Sequence, residues 1–188
     1  MGTSVPPSKL GINTSVSWKG ITLSAVADAW FGAVVNNSIG SSLDFTGISA
    51  YSAQTGRQPF VIPNSVIDDG TGKYIPNTNV ATVDANWRFW ANTWNQAGSN
   101  YVNSADFWKI REIAITYDFP RSLTDKTKVI QQASISLSGR NLFMFRAKDN
   151  VWTDPEFSAA GTGNAIGSND IFQTPPTRIY GITLNVIF

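Results

Sequence analysis

Neither cysteine nor histidine occurs anywhere in the 188 residues. The first absence removes any disulfide framework and any thiolate nucleophile or ligand. The second removes the commonest metal ligand and the commonest general base together. Charge is scarce too: Asp, Glu, Lys and Arg make up 14 % of the chain, against about 25 % in an ordinary soluble domain. The 14 basic and 13 acidic residues nearly cancel, leaving a net charge of +1 and no electrostatic footprint for a nucleic acid. No apolar run reaches the roughly 18 residues of a membrane-spanning helix. Residues 1–11 lack the apolar stretch of a signal peptide. For an exported protein the signal is therefore expected upstream, with Met1 an added start or an internal cut rather than the start of the whole protein.

What is present is alternation. From Arg178 the chain places Tyr180, Ile182, Leu184, Val186 and Phe188 on one face, with Gly181, Thr183 and Asn185 opposite and only Ile179 and Ile187 apolar there. About eleven residues is the length of a tilted strand that crosses a bilayer. Ile12, Thr14, Val16 and Trp18 form a second such face, followed after Lys19-Gly20 by Ile21, Leu23, Ala25, Ala27, Ala29 and Phe31. Strands joined by two residues are antiparallel neighbours. Trp108 and Ile110 share a face, then Ile113, Ile115, Tyr117 and Phe119 continue it with the opposite parity, so a β-bulge is expected at Arg111-Glu112. Strands are therefore expected at about 12–18, 21–32, 107–119, 129–145 and 178–188, with long aperiodic connections at about 33–105 and 146–177.

The connections alternate short and long, as in outer-membrane barrels with tight periplasmic turns and long external loops. Placing Lys19-Gly20 and 121–128 in the periplasm puts both long segments outside and leaves the C-terminus periplasmic. The fold class read from this pattern is all-β: an antiparallel transmembrane β-barrel segment with long extracellular loops. A soluble β-sandwich serving carbohydrate binding or adhesion also has short alternating strands. It would cover its apolar faces with a second sheet.

Several residues carry candidate chemistry. Trp87, Trp90 and Trp94 have the three- and four-residue spacing that puts indoles on one helical face. They can stack on sugar rings, meet a partner at an interface, or fill the interior of the long loop. Asp28, Lys109 and Arg178 are candidate lumen or rim charges. Asp68-Asp69 and Asp154-Pro155-Glu156 have oxygens suited to calcium but not the spacing of a calcium loop, so they are read as turns. Gly161-Thr162-Gly163 with Gly167 imitates a phosphate loop but lacks its flanking strand and helix and the lysine. No catalytic, metal or cofactor site is expected, and no enzyme activity.

A family resemblance rests on ordered motifs. They are Gly11-Ile12-Asn13 through Trp18-Lys19-Gly20-Ile21, Phe31-Gly32, Val61-Ile62-Pro63-Asn64-Ser65-Val66, and Phe107-Trp108-Lys109-Ile110-Arg111-Glu112 with Tyr117-Asp118-Phe119-Pro120. Ser138-Gly139-Arg140-Asn141-Leu142-Phe143, Asp154-Pro155-Glu156, Pro176-Thr177-Arg178, Gly181-Ile182-Thr183-Leu184-Asn185 and Phe188 follow. In this order the chain resembles the C-terminal part of SusC/RagA-type TonB-dependent outer-membrane transporters of Bacteroidota. The resemblance implies about the last five strands of a barrel of about 22, closed around a plug that lies elsewhere in the protein. It also implies import of oligosaccharides or peptides, a SusD-like surface lipoprotein as lid, and energy coupling through TonB–ExbB–ExbD. Tyr180, Ile182, Leu184, Val186 and Phe188 would then face lipid, and Phe188 would be the signal read by the barrel-assembly machinery.

Overall fold

The computed structural model describes residues 2–80, 87–157, 167–169, 174 and 176–188. Its elements in chain order are β1 (Ser8–Trp18), β2 (Ile21–Phe31), β3 (Val34–Asn37), α1 (Ser38–Thr46), β4 (Val66–Asp68), β5 (Tyr74–Pro76), β6 (Val102–Ser104), β7 (Phe107–Asp118), α2 (Arg121–Thr124), β8 (Gln132–Arg146), β9 (Ser168–Asn169) and β10 (Ile179–Ile187). A π-helical turn (Phe89–Trp94) and two 3-10 turns (Gly98–Tyr101 and Asp125–Thr127) complete them.

The long strands form one five-stranded antiparallel sheet in the order β1-β2-β7-β8-β10. Each is paired with its predecessor among the long strands, so both long excursions leave from one end of the sheet and both short connections close the other. Lys19 (φ 46°) and Gly20 (φ 84°) are both left-handed between the paired residues Trp18 and Ile21. That is the hairpin geometry whose twist matches the strands. A Cβ on Gly20 would also lie 3.1 Å from the Asp118 carbonyl oxygen. Gly20→Val should therefore lower stability by about 1–2 kcal/mol, the order of the left-handed penalty for a residue with a Cβ. A urea midpoint equal to that of the parent protein would refute this reading of the turn.

The bulge falls where the parity of the sequence changes. Val26 pairs with Glu112 and Ala27 with Ile110, leaving Arg111 as the extra residue. It keeps the two faces of the sheet continuous along all of β7. Across the strands, Val16, Leu23, Ile115, Leu137 and Ile182 are successive neighbours on one face, and all are exposed. Ser17, Thr22, Thr116, Ser136 and Thr183 are the corresponding row on the other face. Their hydroxyls bond across strands, Ser17 to Thr22 and Thr116 to Ser136, each at 2.8 Å.

The strand ends lie within one residue of the expected ones except at the starts of β1 and β8. β1 starts at Ser8, earlier than expected, because it stays paired with β2 as far as Phe31. β8 starts at Gln132 rather than near 129, because the chain turns through α2, a 3-10 turn and the left-handed Lys128 before it extends. β10 stops at Ile187, so Phe188 lies just beyond the ladder.

The 33–105 segment is not shapeless. β3 pairs with β6 and, in parallel, with β9, and the small apolar centre Ala33, Val35 and Ala105 sits at its base. Helix α1 ends on left-handed Gly47, with the Gly47 amide bonded to Asp44 O and the Ile48 amide to Leu43 O. This arrangement satisfies its last carbonyls. The β4–β5 hairpin projects with most of its side chains in solvent.

Candidate functional site

The aromatic cluster of the 33–105 segment is not the single indole face that the spacing suggests. Residues 89–94 follow a wider π-helical turn, with the Asn95 amide bonded to the Trp90 carbonyl, so three- and four-residue spacings no longer coincide. Trp90 and Trp94 are linked directly (centroids 5.4 Å) and through Phe89, which also meets Phe60 at 4.9 Å. Trp90 is only 7 % exposed, whereas Trp87 is 50 % exposed and has no ring partner among the described residues. The upstream end of this interval, residues 81–86, lies outside the described residues. Nearby, the Tyr101 hydroxyl donates to Asp44 Oδ2 at 2.9 Å, and Ser49 donates to the other oxygen of this buried carboxylate. Burial, then the bond to Asp44, push the Tyr101 hydroxyl well above its ordinary range.

A second buried centre is polar. The Asn37 side chain donates to Asn103 Oδ1 at 2.8 Å and accepts from Asn169 and from the Thr153 hydroxyl. Asn169 Nδ2 also reaches the Thr153 hydroxyl at 2.8 Å. This knot joins the end of β3 to β6, to β9 and to the segment 147–157 that leaves β8. Asn37, Asn150 and Asn169 are fully buried.

The most concentrated chemistry lies on the polar face of the sheet at the level of the bulge. Asp28 and Lys109 are direct cross-strand partners in register, yet their charges go elsewhere. Lys109 Nζ donates to Asp154 Oδ2 at 2.6 Å and to Glu156 Oε2 at 2.7 Å, and Lys109 is 3 % exposed. Arg111, turned onto the same face by the bulge, forks onto Asp28 (2.6 and 2.7 Å) and onto Glu156 (2.6 and 2.8 Å). Planar guanidinium suits such two-sided bidentate bonding, which an ammonium does not provide. Partial burial works to raise the Glu156 carboxyl, but the bonds from Arg111 and Lys109 prevail and hold it below its usual range. The segment 147–157 is thereby strapped across the sheet. Trp152 in this strap packs on Gly40 of α1, where an added Cβ would come within 2.7 Å of the indole.

Beside the strap lies a groove of about 350 Å³ whose lining includes Leu142, Met144, Arg146, Trp152 and Arg178. A second hollow of about 290 Å³ shares Asn141, Asp154, Phe157 and Pro176 with it and extends it to Arg111 and Arg140. Of the sequence candidates, Lys109 and Asp28 fall in the clamp and Arg178 in the groove. The Asp154-Pro155-Glu156 carboxylates serve lysine and arginine. Asp68 and Asp69 accept backbone amides of their own turn, Gly70 and Thr71, each at 2.8 Å. Among the described residues no group of acidic side chains is placed to hold a metal ion. Gly161-Thr162-Gly163 lies outside the described residues. The clamp and the asparagine knot were not foreseen from the sequence. The one signal for the clamp was a lysine and an arginine inside an apolar-flanked strand.

No family model matches the chain. A TonB-dependent receptor of Formosa agariphila is 34 % identical over 96 residues, which is 50 % of this chain and 9 % of the receptor. Among solved structures, the RagAB peptide importer in its open-open state matches 98 % of the chain with a TM-score of 0.59 and 18 % identity. The closed-closed state matches 97 % with a TM-score of 0.56 and 18 % identity. The chain spans 17 % of each of these two chains. It thus has an antiparallel β fold like that of part of these structures. Sequence and fold likeness together bear out the resemblance to the SusC/RagA type.

Proposed function

We propose that this stretch forms barrel wall and outer mouth of an outer-membrane active transporter, one that imports oligosaccharides or peptides with energy from TonB–ExbB–ExbD. The observation that carries the reading is the bare apolar face. Ile182 is 75 % exposed and Trp18 67 %, at opposite edges of a sheet whose other face is hydrogen-bonded serine and threonine. A contiguous apolar surface of that extent calls for a partner, and a bilayer supplies one without a second protein layer. The β-sandwich reading needs a covering sheet, and none lies over this face among the described residues.

In the full protein β1 and β10 pair with further strands to close the barrel, because an open sheet edge is not tolerated in hydrocarbon. Tyr180, Ile182, Leu184, Val186 and Phe188 face lipid, and Phe188 addresses the barrel-assembly machinery from the periplasmic side. The outer unit built on β3–β6 meets a SusD-like lipoprotein and incoming solute, with half-exposed Trp87 the available indole. The likeness to the RagAB peptide importer supports the reading of an importer. Solute passes the wall when a plug elsewhere in the protein is displaced, so the stretch itself catalyses nothing.

The test uses the chain's lack of cysteine. Tyr74→Cys, at a hairpin position 75 % exposed, should react with a membrane-impermeant maleimide on intact cells. Lys126→Cys, in the short connection at the other end, should react only after the outer membrane is permeabilised. The opposite pattern would overturn the orientation, and recovery of the protein in the soluble fraction would overturn the membrane reading.

A further inference from the structure

Resting on the transport reading, we propose that the groove beside the 147–157 strap is a subsite for a carboxylate group of the imported solute, with Arg178 and Arg146 as its ligands. Most of the charges around the groove are already spent. Lys109 and Arg111 are consumed by Asp154, Glu156 and Asp28. Arg140 directs its Nε to Glu112 at 2.7 Å. Arg146 is different: its bonds run to two backbone carbonyls, Thr153 O at 2.9 Å and Val151 O at 3.3 Å, which orient the guanidinium without neutralising it. Arg178 has no hydrogen bond or ion pair among the described residues.

Two uncompensated guanidinium groups therefore line one cavity, while the acids beside them are already satisfied. The same cavity has an apolar side, Leu142, Met144, Trp152 and Phe157. This combination recognises a solute with a carboxylate on an otherwise apolar or ring-shaped body. The fork of Arg matches the two oxygens of a carboxylate, and two such forks on one wall hold it more firmly than one. A neutral solute would leave the two cations with water alone and gain nothing from them. Acidic peptides and acidic sugars share this chemistry.

The experiment is equilibrium binding to the full detergent-purified transporter that contains this stretch. The probes are triglutamate against triglutamine, and trigalacturonate against neutral galactotriose. At least one anionic probe should bind about tenfold or more tightly than its neutral counterpart, and the preference should weaken with added salt. The favoured pair assigns the carboxylate to a peptide or to a sugar. Arg178→Gln should remove most of the preference, Arg178→Lys should keep part of it, and Arg178→Glu should abolish or invert it. Arg57→Gln, on the outer unit and away from the groove, should leave it unchanged. Equal binding of charged and neutral probes, or a preference that survives Arg178→Glu, overturns the subsite. A transporter that assembles in the outer membrane and gives that result leaves the transport reading standing. A protein found in the soluble fraction overturns both.

Discussion

Lys109→Ala should destabilise the assembled protein by about 3–5 kcal/mol, the usual cost of removing one partner from a buried ion pair. Lys109 is almost wholly buried, and Asp154 is 8 % exposed. Deleting the ammonium leaves Asp154 without a cation. It also strips Glu156 of one of its two, and Arg111 cannot take over, since its fork is already divided between Asp28 and Glu156. The strap should then leave the sheet, and proteases should cut within 147–157 faster than in the parent. Arg111→Lys should be milder, because a charge remains although the fork is lost. An unfolding midpoint unchanged by Lys109→Ala would show that the strap is held by other contacts.

The clamp also has a sign in pH. Glu156 has a folded-state value below its ordinary one. Its contribution is therefore complete above the ordinary carboxylate value and is lost only as pH falls through the lower folded value. Mild acidification should leave the strap in place, and strong acid should release it. Release at near-neutral pH would contradict this assignment.

The second large effect is expected on the opposite face. Ile182→Lys should cost about 2–4 kcal/mol or prevent assembly, the range for a basic side chain on the lipid face at mid-bilayer. Thr183→Lys, one residue on and facing the hydroxyl row, should be well tolerated because its ammonium stays in water. Folding of both variants in detergent, followed by the heat-dependent shift in gel migration typical of barrels, separates them. Equal tolerance would remove the lipid assignment for the whole face, since Ile182 sits in register with Leu137, Ile115, Leu23 and Val16.

What could be read in advance was whatever repeats locally. A period of two marks the faces of β2 and β10, the parity change marks the bulge, and Lys19-Gly20 marks a turn, because each depends on residues adjacent in sequence. The spacing of Trp87, Trp90 and Trp94 misleads for a local reason: it fits a 3.6-residue period, whereas the chain takes a π-helical turn there. The clamp was hidden for a different reason. Lys109 and Asp154 are 45 residues apart and Arg111 and Asp28 are 83 apart, and nothing in Asp-Pro-Glu distinguishes a turn from a pair of counter-ions. The Asn37–Asn169 bond spans 132 residues, and asparagine is as common in solvated loops as in such a knot. Alternation tells which face a charge occupies. It does not tell which loop will fold back over it.

The pairing at the base of the outer unit bears on the order of folding. β2 and β7 are separated by the whole 32–106 excursion, and joining the ends of so long a loop carries an entropy cost that slows formation of the sheet. Val34 pairs with Ser104, the Ala105 amide bonds to Ala33 O, and the Gly32 amide bonds to Asp106. These contacts join the two ends of the excursion next to Phe31 and Phe107. If the outer unit closes first, β2 and β7 meet as the arms of a short hairpin rather than across some seventy residues. The unit built on β3 and β6 would then also set the rate at which the five-stranded sheet zips.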